Sequence, residues 1–272
     1  MTQGGTAQLR PYFADGPRGP LFCLDVEPAA AARRGHLLLI APFAEELNRS
    51  RRMMITLARR LAFTGFAATI ADLHGTGDSA GRFADASWRG WLDDLAFLRR
   101  EIGDRGPLWL AGIRTGALLA AAAMAEDRAG VVGALMIAPV SSGARFLAQF
   151  LRIRIAAEMA RDRRETTAAL KARLEAGETL PVGGYALTPD MARALSEASL
   201  AKTPPPDVPV LWFDVAAQAV PEGELRARLP EVWRRNAVRV HGIADAAFWS
   251  LQEPTVPARL IDGIVARLEA VA

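Results

Sequence analysis

The sequence predicts an α/β protein built on a mostly parallel sheet with helices packed on both faces. Two observations carry this. Apolar runs of strand length at residues 36–40, 66–70 and 131–138, and another beginning at Leu108, alternate with longer stretches whose apolar positions recur every three or four residues. Between them stand glycine, proline and small polar residues that turn the chain, so the order strand, helix, strand, helix demands right-handed crossovers and hence a parallel sheet.

Residues 9–13 and 21–26 are short β-prone runs joined by Asp15-Gly16-Pro17-Arg18-Gly19-Pro20, the turn chemistry of a hairpin. His36-Leu37-Leu38-Leu39-Ile40 is apolar enough for a strand buried on both faces, and it ends in Ala41-Pro42-Phe43-Ala44-Glu45-Glu46. The next helix is expected to be capped by Ser50, to carry Met54, Leu57, Ala58 and Leu61 on one stripe and to stop at Gly65. After the strand at 66–70 comes the loop Asp72-Leu73-His74-Gly75-Thr76-Gly77-Asp78-Ser79, which lacks the spelling of a phosphate-binding loop. A helix over 88–102, capped by Asp85, is expected to bury Trp88, Trp91, Leu92, Leu95 and Leu98 as core and to end at Gly103. From Leu108 a strand, a sharp turn and an alanine-rich helix run to about Asp127, followed by the strand at 131–138.

Residues 141–206 change character. They are helical and arginine-rich, with Phe146, Leu147, Phe150, Leu151 and Ile155 on one face, a break at Leu180-Pro181-Val182-Gly183-Gly184-Tyr185 and a second helix at about 189–199. This stretch reads as an inserted helical cap, the core being residues 1–140 and 207–272. The core resumes with a strand at 208–215, a helix around 222–233, a strand at 237–241 whose end holds His241, and a last helix striped by Leu260, Ile261, Ile264 and Leu268.

With 272 residues, of which 51% are hydrophobic, the chain can bury one large core. The net charge of +3 comes from arginines interspersed with acids, which argues against nucleic acid as a partner. The single cysteine, Cys23, excludes a disulfide framework and is expected to be half-buried in a strand. Residues 1–6 do not read as a secretory signal, and no apolar run reaches the roughly 18–20 residues of a membrane span. A soluble, cytoplasmic protein is expected. With three histidines and no cluster at ligand spacing, neither metal nor cofactor is expected.

The chain is organised around Gly112-Ile113-Arg114-Thr115-Gly116. This has the spacing of the G-x-S-x-G nucleophile elbow, in which small flanking residues let a strand and a helix close around a strained central residue. The central residue here is arginine, which stays protonated and offers no lone pair to a carbonyl carbon.

With these pieces in order, the chain resembles the α/β-hydrolase superfamily over essentially its whole length. Pro42-Phe43-Ala44-Glu45-Glu46-Leu47-Asn48-Arg49-Ser50-Arg51-Arg52-Met53, the arginine elbow and Phe248-Trp249 are similar to the exosortase A system-associated hydrolase 2 proteins. The resemblance implies a bacterial protein encoded near exopolysaccharide and protein-sorting machinery, and an ester or thioester hydrolase by name. Carried over position by position, it puts Arg114 at the nucleophile. The acid is expected after the strand at 208–215, where Ala216-Ala217-Gln218-Ala219-Val220-Pro221 has no carboxylate and Asp214 lies inside the strand. The base is expected after the last strand, yet His241 precedes the turn. A serine hydrolase needs the three within hydrogen-bond reach.

The expected site lies where the loops at 42–46 and 74–79 and the elbow meet at the strand ends. Its candidates are Arg114, Ile113, Thr115, Phe43, Ala44, Glu45, Glu46, His74, Asp78 and Ser79. Arg114 must have a partner if buried, with an internal Glu45 or Glu46 favoured over a ligand carboxylate. Ser79 and His74 are expected to be loop ties. The reading favoured by the chemistry is a fold that binds a small acyl-type or anionic ligand, or a partner, without serine-type hydrolysis. The alternatives are an ester or thioester hydrolase that polarises water near Glu45, Glu46 or Asp78, and a scaffold whose arginine-rich cap touches anionic surfaces.

Overall fold

The computed structural model describes residues 7–28, 33–103, 105–162 and 164–272. Residues 1–6 lie outside them.

The chain opens with an antiparallel hairpin, β1 (Gln8–Gly16) and β2 (Gly19–Glu27), turned at Pro17-Arg18. β3 (Gly35–Ile40), α1 (Glu45–Ala62), β4 (Phe66–Ala71), α2 (Trp88–Ile102), β5 (Leu108–Ile113), α3 (Gly116–Glu126) and β6 (Val131–Ile137) then alternate. Between β6 and the next core strand come α4 (Gly143–Met159), α5 (Thr167–Glu175), the hairpin β7 (Leu180–Val182) and β8 (Tyr185–Leu187), and α6 (Pro189–Glu197). The chain ends with β9 (Val210–Ala216), α7 (Glu222–Arg228), β10 (Val238–Ala244) and α8 (Ala258–Glu269).

Eight strands form one sheet in the order β1-β2-β4-β3-β5-β6-β9-β10. β1 and β2 pair antiparallel, β2 meets β4 antiparallel, and every later pair is parallel. Strand alternation divides the core in two. Leu37, Leu39, Trp109 and Ala111 pack with Leu57 and Leu61 of α1 and with Leu260 and Ile264 of α8, while Leu38, Ile40 and Leu110 pack with Trp91, Leu95 and Leu118 on the opposite face.

Four local expectations are corrected. Ala44, not Ser50, stands at the N-cap of α1, because Glu45 and Glu46 already form its first turn, where the helix dipole favours carboxylates; Ser50 is buried inside the helix. Ser87, not Asp85, caps α2 by accepting from the Gly90 amide, and Asp85 instead binds Arg82. Cys23 is fully buried, not half-buried, since β2 is an interior strand between β1 and β4. The break at residues 180–185 is a β-hairpin, so the stretch between β6 and β9 is not purely helical.

Candidate functional site

The connections leaving β3, β5 and β6 meet at the carboxyl ends of adjacent strands, and each contains a non-glycine residue at positive φ: Ala44 at 52°, Arg114 at 55° and Ala138 at 44°. Such backbones cost on the order of 1–3 kcal/mol each and persist where packing over-determines them. At the β5–α3 turn the packing explanation is direct. A Cβ on Gly112 would meet the backbone of Ala117, and one on Gly116 would run into the Ile40 carbonyl. The two glycines let α3 close onto the strand ends, and that closure forces Arg114 into the left-handed region.

The Arg114 side chain is held on three sides. Nε and Nη2 donate to the two carboxylate oxygens of Glu46 at 3.2 and 3.3 Å, Nη1 donates to the Ala138 carbonyl at 3.0 Å, and the guanidinium lies over the Trp249 indole, 4.3 Å from its centre. The partner is therefore Glu46. Glu45 lines the same cavity but bonds elsewhere, its Oε2 accepting from Asn48 at 3.1 Å and from the Tyr185 hydroxyl at 3.4 Å, with Arg49 3.5 Å from Oε1. Both members of the Arg114–Glu46 pair are shielded, with side chains 16% and 20% exposed. Burial holds the Glu46 carboxyl above the usual carboxylate value, and the attraction of Arg114 and Arg49 offsets only part of that.

Beside this pair opens a cavity of about 250 Å³, lined on its apolar side by Phe43, Phe146, Phe150, Ile153 and Trp249 and on its polar side by Glu45, Arg49, Gln149 and Ser250. Phe43 is fixed by edge-to-face contacts with Phe83, Trp91, Phe146 and Phe150 at centroid distances of 5.3–5.9 Å. Its amide does not face an empty pocket: it donates to the buried Thr115 hydroxyl at 2.8 Å.

The remaining candidates lie elsewhere. Ile113 is buried in β5, and Ala44 packs at the start of α1. The loop at 74–79 does not join Arg114. His74 is tied through its amide to Asp94 and through its carbonyl to Trp91, Ser79 bridges the Phe22 amide and the Asp72 carbonyl, and exposed Asp78 gives its amide to Asp72. The loop is thereby folded onto β2 and α2, and it meets the other two expected segments at a second, small apolar cavity, where Thr76 stands with Pro42, Phe43 and Thr115 and with Leu73, Trp88 and Trp91.

The acid and base positions are likewise unfilled at this cavity. Asp214 sits within β9, its carboxyl held high by burial. His241 is not at a strand end, because β10 continues to Ala244; its ring packs 5.3 Å from that of Phe213, and burial lowers its pKa to about 4. Neither lines the Arg114 cavity. Trp249, which the sequence marked only through a family likeness, does line it. Ala138 was missed altogether, because a carbonyl aimed by positive φ leaves no signature in residue type. Among the described residues no group of three or more His, Cys, Asp or Glu could hold a metal, and no helix is long and apolar enough to cross a membrane.

Residues 33–180 match the family described as serine aminopeptidase, S33. The chain belongs to this S33 hydrolase family. No curated protein matches its sequence. Among solved structures, the S33 chain is similar to Est1E from Butyrivibrio proteoclasticus with ferulic acid bound, at 15% identity and a TM-score of 0.70 over 95% of this chain and 96% of that one. A putative hydrolase from Agrobacterium vitis S4 is 17% identical, with a TM-score of 0.60 over 97% and 99%. XC6422 from Xanthomonas campestris, an α/β serine hydrolase without a lid, is 17% identical, with a TM-score of 0.57 over 97% and 93%. At these identities the likeness shows the fold: the S33 chain has the α/β-hydrolase fold, with a mostly parallel central sheet flanked by helices.

Proposed function

We propose that this S33-family chain binds a small ligand with an acyl or aromatic body and a polar head, and does not carry out serine-type hydrolysis. The observation that carries the reading is Arg114 at the apex of the β5–α3 turn, locked to Glu46, the Ala138 carbonyl and Trp249. In a serine hydrolase of this architecture the apex holds the nucleophile, and the amide of the residue after it and an amide from the first strand-to-helix loop form the oxyanion hole. Here the apex is a cation and the Phe43 amide is already spent on Thr115. Three of the five guanidinium N–H groups are used among the described residues, so two remain to meet a ligand's oxygen, above walls that suit an apolar body. Ferulic acid, bound to the structurally similar Est1E, is a ligand of that form. In this reading residues 141–206 serve as the cap, since Phe146 and Phe150 of α4 close the cavity. The context suggested by the exosortase-associated resemblance, a cytoplasmic bacterial protein near exopolysaccharide machinery, belongs to the same proposal.

A second reading has its own observation. A carboxylate held high by burial beside a cavity, as Glu46 is, has the properties of a general base for a water-mediated ester or thioester hydrolysis. Treatment with a serine-directed fluorophosphonate and turnover of short p-nitrophenyl esters separate the two. The binding reading expects no labelled serine, no acyl-enzyme burst and no turnover. One stoichiometrically labelled serine would overturn it, and turnover without labelling, lost in Glu46→Gln, would establish the second.

A further inference from the structure

We propose that the Arg114 cavity takes small monocarboxylates by exchange: the ligand's carboxylate replaces that of Glu46 on the Arg114 fork, and the displaced Glu46 takes up one proton from solvent. This rests on the ligand-binding reading above and adds the ligand class and its coupling to pH.

The geometry of the fork is the starting point. Nε and Nη2 of Arg114 already hold two oxygens of one carboxylate, so the site is shaped for that group. At 3.2 and 3.3 Å the bonds are longer than the roughly 2.7–2.9 Å of well-made charge-assisted pairs. Glu46 is tethered to the first turn of α1, whereas a free carboxylate in the cavity has no tether. The guanidinium does not depend on Glu46 for its position, because the Trp249 face and the Ala138 carbonyl hold its plane from other elements. The fork therefore survives the exchange.

The charges fix the proton. Glu46 faces Arg114 from the elbow, Arg49 and Glu45 on its own helix, and from α4 and the segment after β10 only Phe146, Gln149, Phe150, Ile153, Trp249 and Ser250, none of them charged. Burial already outweighs the pull of Arg114 on its carboxyl, and once a ligand takes Arg114 only Arg49 remains to favour the anion. A carboxylate as shielded as Glu46, left without its partner, gives up its charge more readily by binding a proton. One negative charge enters and one is quenched, so the exchange leaves the cavity's net charge unchanged. A phosphate dianion would break that balance, and the aromatic walls of a cavity of about 250 Å³ select a short aliphatic or aromatic body.

Isothermal titration of the full chain with ferulate and with hexanoate, in buffers of different ionisation enthalpy, counts the protons. The expected result is one proton taken up per carboxylate bound, with affinity falling about tenfold per pH unit where Glu46 is ionised in the free protein. Methyl ferulate, which has no charge, should bind without proton uptake. Glu46→Gln should bind ferulate without proton uptake and at least about tenfold more tightly at pH 8, since nothing competes for the fork. Glu45→Gln should keep the uptake. Carboxylate binding to the parent without proton uptake overturns the exchange and leaves the ligand-binding reading standing. Failure of ferulate, hexanoate and methyl ferulate to bind either the parent or Glu46→Gln overturns both. If Glu46→Gln does not fold, the proton count on the parent decides alone.

Discussion

At the scale of single residues, Arg114 and Glu46 form a unit that neither residue type would form in isolation. Arg114→Ser restores the G-x-S-x-G spelling but leaves Glu46 shielded and without its partner. The expected loss is on the order of 2–3 kcal/mol, below the roughly 3–5 of a fully buried pair because both side chains keep some contact with water. The loss has a ceiling, since Glu46 escapes it by binding a proton; Arg114→Ser should therefore be less damaging near pH 5 than near pH 8. Chemical denaturation of the parent, Arg114→Ser, Glu46→Gln and the double variant measures the coupling, and the double variant should lose less than the sum of its singles. The same cycle with Glu45→Gln should be additive, because Glu45 binds Asn48 and Tyr185 instead. No ester turnover should appear in Arg114→Ser, since neither His241 nor Asp214 lines its cavity. Additive losses with Glu46 would refute the pair, and turnover would show that Glu46, freed of Arg114, or another group serves as a base.

At the scale of elements, the site depends on how α4 is seated. Its first residue, Gly143, lies against α6, where a Cβ would collide with the carbonyls of Leu195 and Ala198. Gly143→Ala is expected to cost about 1–3 kcal/mol, because backbone carbonyls cannot yield without shifting a helix. Since α4 also carries Phe146 and Phe150, the variant should lose order around the cavity before it loses the sheet. Hydrogen exchange should quicken in α4 and α6 while β3, β5 and β6 stay protected; uniform loss across the sheet would contradict this. The same contrast explains what was legible in the sequence. The buried strands of the sheet were readable because burial on both faces leaves an apolar run, and the elbow was readable because its glycines are sterically required. The cap of α1 was misread because Ala44 occupies a position where its backbone, not its side chain, is unusual. The site was half legible. Arg114 and a glutamate partner follow from charge, but the choice of Glu46 depends on helix phase, and the contacts of Trp249 and Ala138 exist only in three dimensions. The loop at 74–79 carried suggestive residue types whose hydrogen bonds turn out to be spent on β2 and α2.

At the scale of the whole molecule, a polar chain buried against β2, β3 and β4 sets how stability responds to acid. Asp25 of β2 is fully buried and accepts from Arg10, Arg105 and Thr69, and His36 of β3 stands 2.8 Å from the same Thr69 hydroxyl. Thr69 has one proton and gives it to Asp25, so His36 Nε2 must be the donor to Thr69, which leaves Nδ1 as the unprotonated nitrogen. Nδ1 is buried with no partner among the described residues. Charging His36 would bury an unsatisfied N–H, and burial, reinforced by Arg105 and Arg33 against the opposing pull of Asp25, lowers its pKa from 6.5 to about 4. The unfolded chain then binds a proton that the folded chain refuses between those values, so stability is full above pH 6.5 and falls as the pH drops toward 4. For His36 the amount is on the order of 3 kcal/mol. His241, lowered to the same range but less buried, adds in the same direction, whereas Glu46, Asp94 and Asp214, all raised by burial, gain stability on acidification and oppose it. Comparison with His36→Gln removes those other groups, because they titrate alike in both proteins. The glutamine amide can still donate to Thr69 and carries no titrating nitrogen. Its stability deficit, measured by denaturation at intervals from pH 8 to pH 4.5, should shrink steadily below pH 6.5 as the parent loses the contribution of His36. A deficit independent of pH would mean that His36 protonates in the folded protein as readily as in the unfolded chain.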